Sequence, residues 1–248
     1  KVAAASAEVT GAEALIRWEH PVFGRLSPAD FIPIAEKTGA IDCLTMWVLD
    51  RAIADQAAAR REGIYLPISV NLSARTLSNV GFRDQAIRKI ERAGADIRPE
   101  ITETAVIESD SIAAQAIAAY RAAGIRVSSD DFGAGLSSLA YLMTLDADEL
   151  KLDKALIDNI TLRERDREIV GSTVRLAHKL GMTVVAEGVE TENMHRTLAE
   201  LGCDYLQGYF FARPVSAAEF IRNNATRPAE AHPGRAAAPV NLALKRAS

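Results

Sequence analysis

Asp130 and Asp131 stand side by side in Asp130-Asp131-Phe132-Gly133-Ala134-Gly135, between the β-rich stretch Arg126-Val127-Ser128-Ser129 and a Gly-rich turn. Adjacent carboxylates repel each other unless a cation lies between them, and hard cations such as Mg²⁺ or Mn²⁺ take carboxylate, amide and water oxygens. Alone, the pair reads first as a solvated Asp-Asp-x-Gly turn. Recurrence changes that reading. Apolar runs carry polar residues at or near their ends at Glu13, Asn71, Glu100 and Glu103, Lys151 and Asp153, Glu187 and Gln207. If those runs are parallel strands of a barrel, all these ends lie on one face, where βα loops build an active site.

The elements that would position these residues follow from the alternation of periods. Ser27-Pro28-Ala29-Asp30 reads as an N-cap with Pro at the first helical position, opening a helix that stops near Gly39. Ile41, Leu44, Trp47, Val48, Ala52 and Ile53 recur at helical spacing up to Gly63, followed by a β-rich Ile64 to Val70. Helical patterns return at Phe82 to Ala93, Ser109 to Ala123, Arg163 to Leu180 and Thr191 to Leu201. Gly94, Gly124, Gly181 and Gly202 sit where helix-ending glycines belong. Alternating β and α with short connections predicts an α/β fold with a parallel sheet, and this many units predicts closure into a (β/α)8 barrel. Thr226 to Ser248 is rich in Ala, Pro and Arg, so the barrel is expected over residues 1–224 and a flexible extension over 225–248.

At 248 residues with 48% hydrophobic side chains, the chain can bury one large core as a single domain. A formal net charge of −4 argues against binding a nucleic-acid polymer and confines nucleotide chemistry to a metal-lined pocket. No run approaches the roughly 18 apolar residues of a membrane span, and no secretory signal opens the chain. Cys43 and Cys203 offer no metal-ligand spacing and no disulfide framework, which fits a reducing, cytoplasmic setting. His20, His178, His195 and His232 end no strand and read as surface or packing residues. Phe210 and Phe211 read as core.

The ordered motifs resemble the EAL family of cyclic di-GMP phosphodiesterases. They run Glu13-Ala14-Leu15 with Arg17-Trp18, Phe31 to Glu36, Val70-Asn71-Leu72-Ser73, Glu100-Ile101-Thr102-Glu103, Asp130 to Gly135, Lys151-Leu152-Asp153, Val185 to Thr191, and Gln207-Gly208-Tyr209. The resemblance covers roughly Lys1 to Asn223. It implies a modified TIM-type barrel that hydrolyses cyclic di-GMP to linear pGpG with two Mg²⁺ or Mn²⁺ ions, with Ca²⁺ inhibitory. By resemblance, Glu13, Asn71, Glu100 and Asp130 hold one metal, and Asp130 bridges to a second held by Asp131. Glu187 holds a metal or polarises its water, Lys151 orients the nucleophile, and Glu103 supports catalysis by anchoring the loop from Asp130 to Ser138. Gln207 closes the inner ring, while Arg17 and Leu15 contact substrate. The resemblance further implies a homodimer through an apolar patch of Leu136, Leu139, Tyr141 and Leu142, with Leu136 and Tyr141 the more exposed. It also implies attachment to sensory or GGDEF-type domains outside this chain, in a cytoplasmic part of a larger protein of a kind that can be membrane-attached.

Three departures from the family pattern carry expectations. The family's opening Tyr-Gln-Pro strand lies upstream of Lys1, so the first strand should be truncated and the sheet left with an unpaired edge. The stretch Arg98-Pro99-Glu100-Ile101 is shorter than usual, which puts the strand length and the placing of Glu100 in question. Ala134 and Leu136 replace the usual Thr and Tyr. The alternative function is a non-catalytic receptor of the same fold that binds cyclic di-GMP and signals to a partner. Degenerate members lose the first Glu, an Asp of the pair or the Lys, and this chain keeps Glu13, Asp130, Asp131 and Lys151.

Overall fold

The structure, a computed structural model, describes residues 1–103, 105, 110–135 and 146–225. The strands are β1 (Val2–Ala3), β2 (Ala12–Glu13), β3 (Trp18–His20), β4 (Gly24–Leu26), β5 (Ile68–Leu72), β6 (Ile97–Thr102), β7 (Ser128–Phe132), β8 (Glu149–Leu152), β9 (Thr183–Ala186) and β10 (Tyr205–Leu206). The helices are α1 (Pro28–Thr38), α2 (Ile41–Arg61), α3 (Ala74–Ser78), α4 (Val80–Ala93), α5 (Asp110–Ala122), α6 (Lys154–Ile157), α7 (Glu164–Lys179), α8 (Glu192–Glu200) and α9 (Ala217–Ala225). The main sheet runs β1-β10-β9-β8-β7-β6-β5-β2. Every neighbouring pair is parallel except β1 with β10.

The expected bare edge is not found, because β1 folds back on the segment leading into β2. Val2 bridges Val9, the Lys1 amino group donates to the Gly11 carbonyl, and Thr10 N–H donates to the Lys1 carbonyl. The two end strands of this curled, TIM-type sheet are thus linked through residues 8–11 rather than by pairing directly with each other. The doubt over Arg98 to Glu100 is also removed: β6 spans six residues. It pairs along its length with β5, and Pro99, which has no N–H to donate, stands opposite Val70.

Strand residues alternate between the helical shell and the barrel interior. In β8, Leu150 and Leu152 are fully buried, while Glu149 and Lys151 take the other face. Ile101, Val127, Val184 and Leu206 continue the apolar layer, against which Val170, Val174 and Ala177 of α7 and Leu198 of α8 pack. The helix ends are where local chemistry places them. Ser27 caps α1 in a reciprocal box with Asp30, and Gly39, Gly94, Gly124, Gly181 and Gly202 adopt the positive φ that their terminal positions require. The β3–β4 hairpin was not anticipated. His20 closes its turn by accepting from Val22 and Phe23 N–H.

Gly208 is required for a different reason. A Cβ there would lie 2.2 Å from the Val189 carbonyl oxygen and 2.3 Å from its nitrogen. Val189 N–H donates to the Gln207 carbonyl, and Phe210 N–H to the Val189 carbonyl, so this close approach locks the loops after β9 and β10 together. Gly208→Ala must push two backbone segments apart at a cost of about 2 kcal/mol, lowering Tm by roughly 4–8 °C. A calorimetric Tm within a degree of the parent would refute that packing.

Candidate active site

The strand ends gather the polar residues around one lysine. Lys151 is 1% exposed. Its Nζ lies 2.7 Å from Glu187 Oε1, 2.9 Å from Glu100 Oε2, 3.1 Å from Asp130 Oδ1 and 4.0 Å from Glu13 Oε2. Glu13 is gripped on both oxygens by amides: Asn71 Nδ2 donates to Oε1 at 2.9 Å and Gln207 Nε2 to Oε2 at 2.6 Å. Glu13, Asn71, Glu100, Asp130, Lys151, Glu187 and Gln207, drawn from seven strands or the residues that follow them, are thus one connected set.

The electrostatics of this set are lopsided. Burial pushes the Glu100 carboxyl up to about 8; Lys151 offsets part of the push, and the charges of Glu13 and Asp130 add to it. Glu187 rises to about 7, again through burial, against the pull of Lys151. For Glu13 burial also acts upward, but Lys151 and the two amide donors outweigh it and hold the carboxyl below its usual value. Burial would lower the Lys151 ammonium, yet Glu100, Glu187, Asp130 and Glu13 together raise it well above the ordinary range. Burial is the main push on both carboxylates and the neighbouring carboxylates add to it, so a single ammonium does not compensate the set.

That imbalance has a measurable sign. The folded chain holds the Glu100 proton more tightly than the unfolded chain does, so this group's stabilisation is complete below about 4.5 and is lost as pH rises towards about 8. In EDTA the Tm of the parent is expected to decline through that window more steeply than that of Glu100→Gln. Parallel pH profiles for the two would contradict it.

Asp131 sits beside the set rather than within it. A register shift in β7 between Ser129 and Phe132 places Asp131 at φ 60, a left-handed conformation that Asp tolerates better than most residues, and its N–H donates to Asp130 Oδ1 at 2.9 Å. The bulge re-aims this carboxylate while Asp130 keeps facing Lys151. Burial, then Asp130 and Asp153, raise the Asp131 carboxyl. Asp153 caps α6 by accepting from Ala155 N–H, and Glu190 pairs with Lys154 at 3.2 Å. Glu103 is buried immediately after β6. The Ser138 end of the loop it was expected to anchor lies outside the described residues, as do Leu136, Leu139, Tyr141 and Leu142.

Leu15 and Arg17 are exposed on the segment after β2. Both line a cleft of about 470 Å³ between that segment, α1 and α2, which Ile32, Glu36, Leu44 and Asn71 also border. Asn71 therefore belongs both to the cleft and to the acid cluster. His178, expected to be structural, bonds Asp204 at 2.8 Å. His195, expected likewise, reaches the Ala4 carbonyl at 2.9 Å and packs on Phe211.

Among the described residues no three Asp, Glu, His or Cys side chains stand as a ready ligand set for a metal ion; the carboxylates converge on the ammonium instead. The donor chemistry nonetheless fits a hard divalent cation. The set offers only oxygens, and both carboxylate oxygens of Glu100 are buried without a well-directed hydrogen bond, although Lys151 stands 2.9 Å from one of them. One polar row escaped the sequence reading: Arg98, Ser128 and Glu149, each two residues before Glu100, Asp130 and Lys151. The period of two along a strand was the signal that could have found it.

Comparison with known proteins gives the family. The family model described as EAL domain matches residues 1–214. The chain is 40% identical to the cyclic di-GMP phosphodiesterase NbdA of Pseudomonas aeruginosa over 89% of its own length and 29% of that protein. It is 35% identical to the cyclic di-GMP phosphodiesterase PdeR of Escherichia coli over 87% of its length and 33% of PdeR. The chain thus spans about a third of the curated relatives it matches. A solved structure of the PaMucR phosphodiesterase in complex with c-di-GMP superposes with a TM-score of 0.80 at 38% identity, covering 88% of this chain and 90% of that one. An EAL domain protein from Listeria monocytogenes gives a TM-score of 0.80 at 29% identity, covering 90% and 89%. With its motifs in order, its strand ends converging and its fold shared over nearly the whole of these domains, the chain belongs to the EAL domain family.

Proposed function

We propose that this domain hydrolyses cyclic di-GMP to linear pGpG, using two divalent ions, Mg²⁺ or Mn²⁺. The observation that carries the reading is the convergence of Glu13, Glu100, Asp130 and Glu187 on buried Lys151, next to a cleft bordered by Arg17. The ions would supply Lewis acidity that makes water nucleophilic near neutral pH and spreads the charge building on the phosphoryl oxygens.

The residues divide the remaining work. Glu13, Asn71, Glu100 and Asp130 would hold one ion, with Asp130 shared towards Asp131 and the second. The amides of Asn71 and Gln207 fix both oxygens of Glu13, so this ligand would be oriented before any ion arrives. Glu187 is the least buried of the four carboxylates around Lys151, which makes it the acceptor an attacking water can reach. Lys151 would donate to that water and hold it in line. Arg17 offers a planar fork to a substrate phosphate, and Leu15 gives apolar contact at the mouth of the cleft. Glu103 would support the loop after Asp130 without touching substrate.

Turnover of cyclic di-GMP in Mg²⁺ or Mn²⁺, with pGpG identified by chromatography, and its loss in EDTA, tests the reading. Tight binding without turnover in either metal would instead support the receptor alternative. Ca²⁺ is expected to bind but not support hydrolysis, because its looser shell holds water and phosphate away from in-line geometry. Arg17→Ala is expected to raise KM about tenfold with kcat within about threefold, the mark of lost substrate binding rather than lost chemistry. A fallen kcat at unchanged KM would move Arg17 into the chemical step.

The same reading includes a cytoplasmic setting, a homodimer through the segment after Asp131, and regulation by sensory or GGDEF-type domains in a longer protein. No helix among the described residues is long and apolar enough to cross a membrane. Analytical ultracentrifugation of Leu136→Asp tests the dimer: a shift to monomer with reduced activity supports it, and an unchanged dimer removes Leu136 from the interface.

A further inference from the structure

We propose that Glu149 is a positioning residue for this site, the centre of a second polar layer inside the barrel that holds the Lys151 strand in place; the proposal rests on the phosphodiesterase reading. Glu149 and Lys151 are two apart in β8 and face the same interior, so roughly 7 Å of strand separates them. Glu149 is 3% exposed and reaches two other strands, β6 and β7, and the residue just before β1. Its Oε1 takes the Lys1 ammonium at 2.5 Å and the Ser128 hydroxyl at 2.8 Å, and its Oε2 faces the Arg98 guanidinium at 3.9 Å.

Each of these partners is tied to the site above. Ser128 precedes Asp130 by two residues in β7, and Arg98 precedes Glu100 by two in β6. Lys1 opens into β1, whose fold-back on residues 8–11 leads directly to Glu13. One carboxylate therefore ties together the strands that present Glu13, Glu100, Asp130 and Lys151. The floor differs from the cluster in its charge balance. Burial would raise the Glu149 carboxyl, but Lys1, Ser128 and Arg98 outweigh it and hold it low, so the floor is a compensated ion pair beneath an uncompensated cluster. A carboxylate whose Oε1 is held by two directed donors has one preferred geometry, although its Oε2, facing Arg98, makes no hydrogen bond. A crowd of like charges around one ammonium has several. The floor supplies the fixed reference that the cluster lacks.

The test reads kcat, KM and Mn²⁺ affinity by isothermal titration calorimetry on Glu149→Gln, Glu149→Asp and Ser128→Ala, well below each Tm. Glu149→Gln keeps the shape and loses the charge; kcat is expected to fall at least about tenfold, KM to stay within about twofold, and the Mn²⁺ Kd to rise at least about fivefold. Glu149→Asp keeps the charge but draws the carboxylate back by one methylene. If charge balance alone mattered, Asp would restore both quantities, so wild-type kcat and Mn²⁺ affinity in Glu149→Asp would overturn the proposal. A lowered Tm in all variants with parental kcat and Mn²⁺ affinity would reduce Glu149 to a stabilising ion pair and overturn it too. Should both Glu149 variants fail to fold, Ser128→Ala, which leaves the Lys1 pair intact, decides: about a threefold loss of kcat is expected, and no loss refutes the role. If the parent protein does not turn over cyclic di-GMP, the phosphodiesterase reading falls, while the Mn²⁺ titrations still judge the positioning claim.

Discussion

Asp130→Ala and Glu13→Ala are each expected to lower kcat/KM for cyclic di-GMP at least a thousandfold, about 4 kcal/mol of transition-state stabilisation, while the domain stays folded. The size follows from what each side chain does at once. Asp130 faces Lys151 at 3.1 Å and, through the β7 bulge, sets the position of Asp131; its removal strips one carboxylate and loosens a second. Glu13 is the residue that Asn71 and Gln207 both hold, so its loss leaves two amide donors aimed at nothing. Folding should survive for a physical reason. Removing one negative charge from four crowded around a single ammonium relieves repulsion, so in EDTA Asp130→Ala is expected to match or exceed the parent Tm, whereas Glu13→Ala, which gives up a carboxylate that Lys151, Gln207 and Asn71 stabilise, is expected to fall about a degree or two below it. A ligand that costs stability without its ion and is indispensable with it is the usual trade at a functional site. More than about a tenth of the parental activity in either variant, a loss under about 1.4 kcal/mol, would reject these ligand assignments. A Tm several degrees lower in EDTA would instead show that the carboxylate holds the barrel together.

The polar strand ends were legible in the sequence because each site residue lies at or near the end of an apolar run, and a parallel barrel turns that one-dimensional rule into one face. Glu13, Asn71, Glu100, Asp130, Lys151, Glu187 and Gln207 came together on that rule with the family motifs. The helix ends were equally legible, since Gly39, Gly94, Gly124, Gly181 and Gly202 carry a backbone requirement that few other residues meet. Other features, besides the β3–β4 hairpin, were not. The link between the two ends of the sheet depends on Val2 bridging Val9, and a strand of two residues leaves no periodic signal. The central role of Lys151 was underestimated, because position along a strand says nothing about how many carboxylates a side chain will meet across a barrel. The row beneath it was hidden by its mixed character. Arg98, Ser128 and Glu149 look like loop chemistry when read along the chain, and come together only through the contacts that Glu149 makes across the barrel.

Lys151→Ala is expected to show two separable losses, because the ammonium both compensates the cluster and faces the reacting centre. In EDTA it leaves buried carboxylates without a counter-charge, a cost of about 3–5 kcal/mol that lowers Tm by roughly 10 °C. Saturating Mn²⁺ should return much of this, since an ion that binds only the folded chain adds about 2.7 kcal/mol at a hundredfold excess over its Kd. The chemical loss should not return. With metal saturating and folding restored, kcat is expected to remain about a hundredfold or more below the parent, the usual effect of deleting one directed donor in a closed site, and KM to change little because Arg17 and Leu15 line a separate cleft. Lys151→Met separates charge from packing. It refills most of the buried volume, so a Met variant with the same kcat deficit assigns the loss to the ammonium, whereas recovery of kcat in Met would assign it to packing around β8. A variant that binds substrate poorly but keeps kcat would exchange the roles of Lys151 and Arg17.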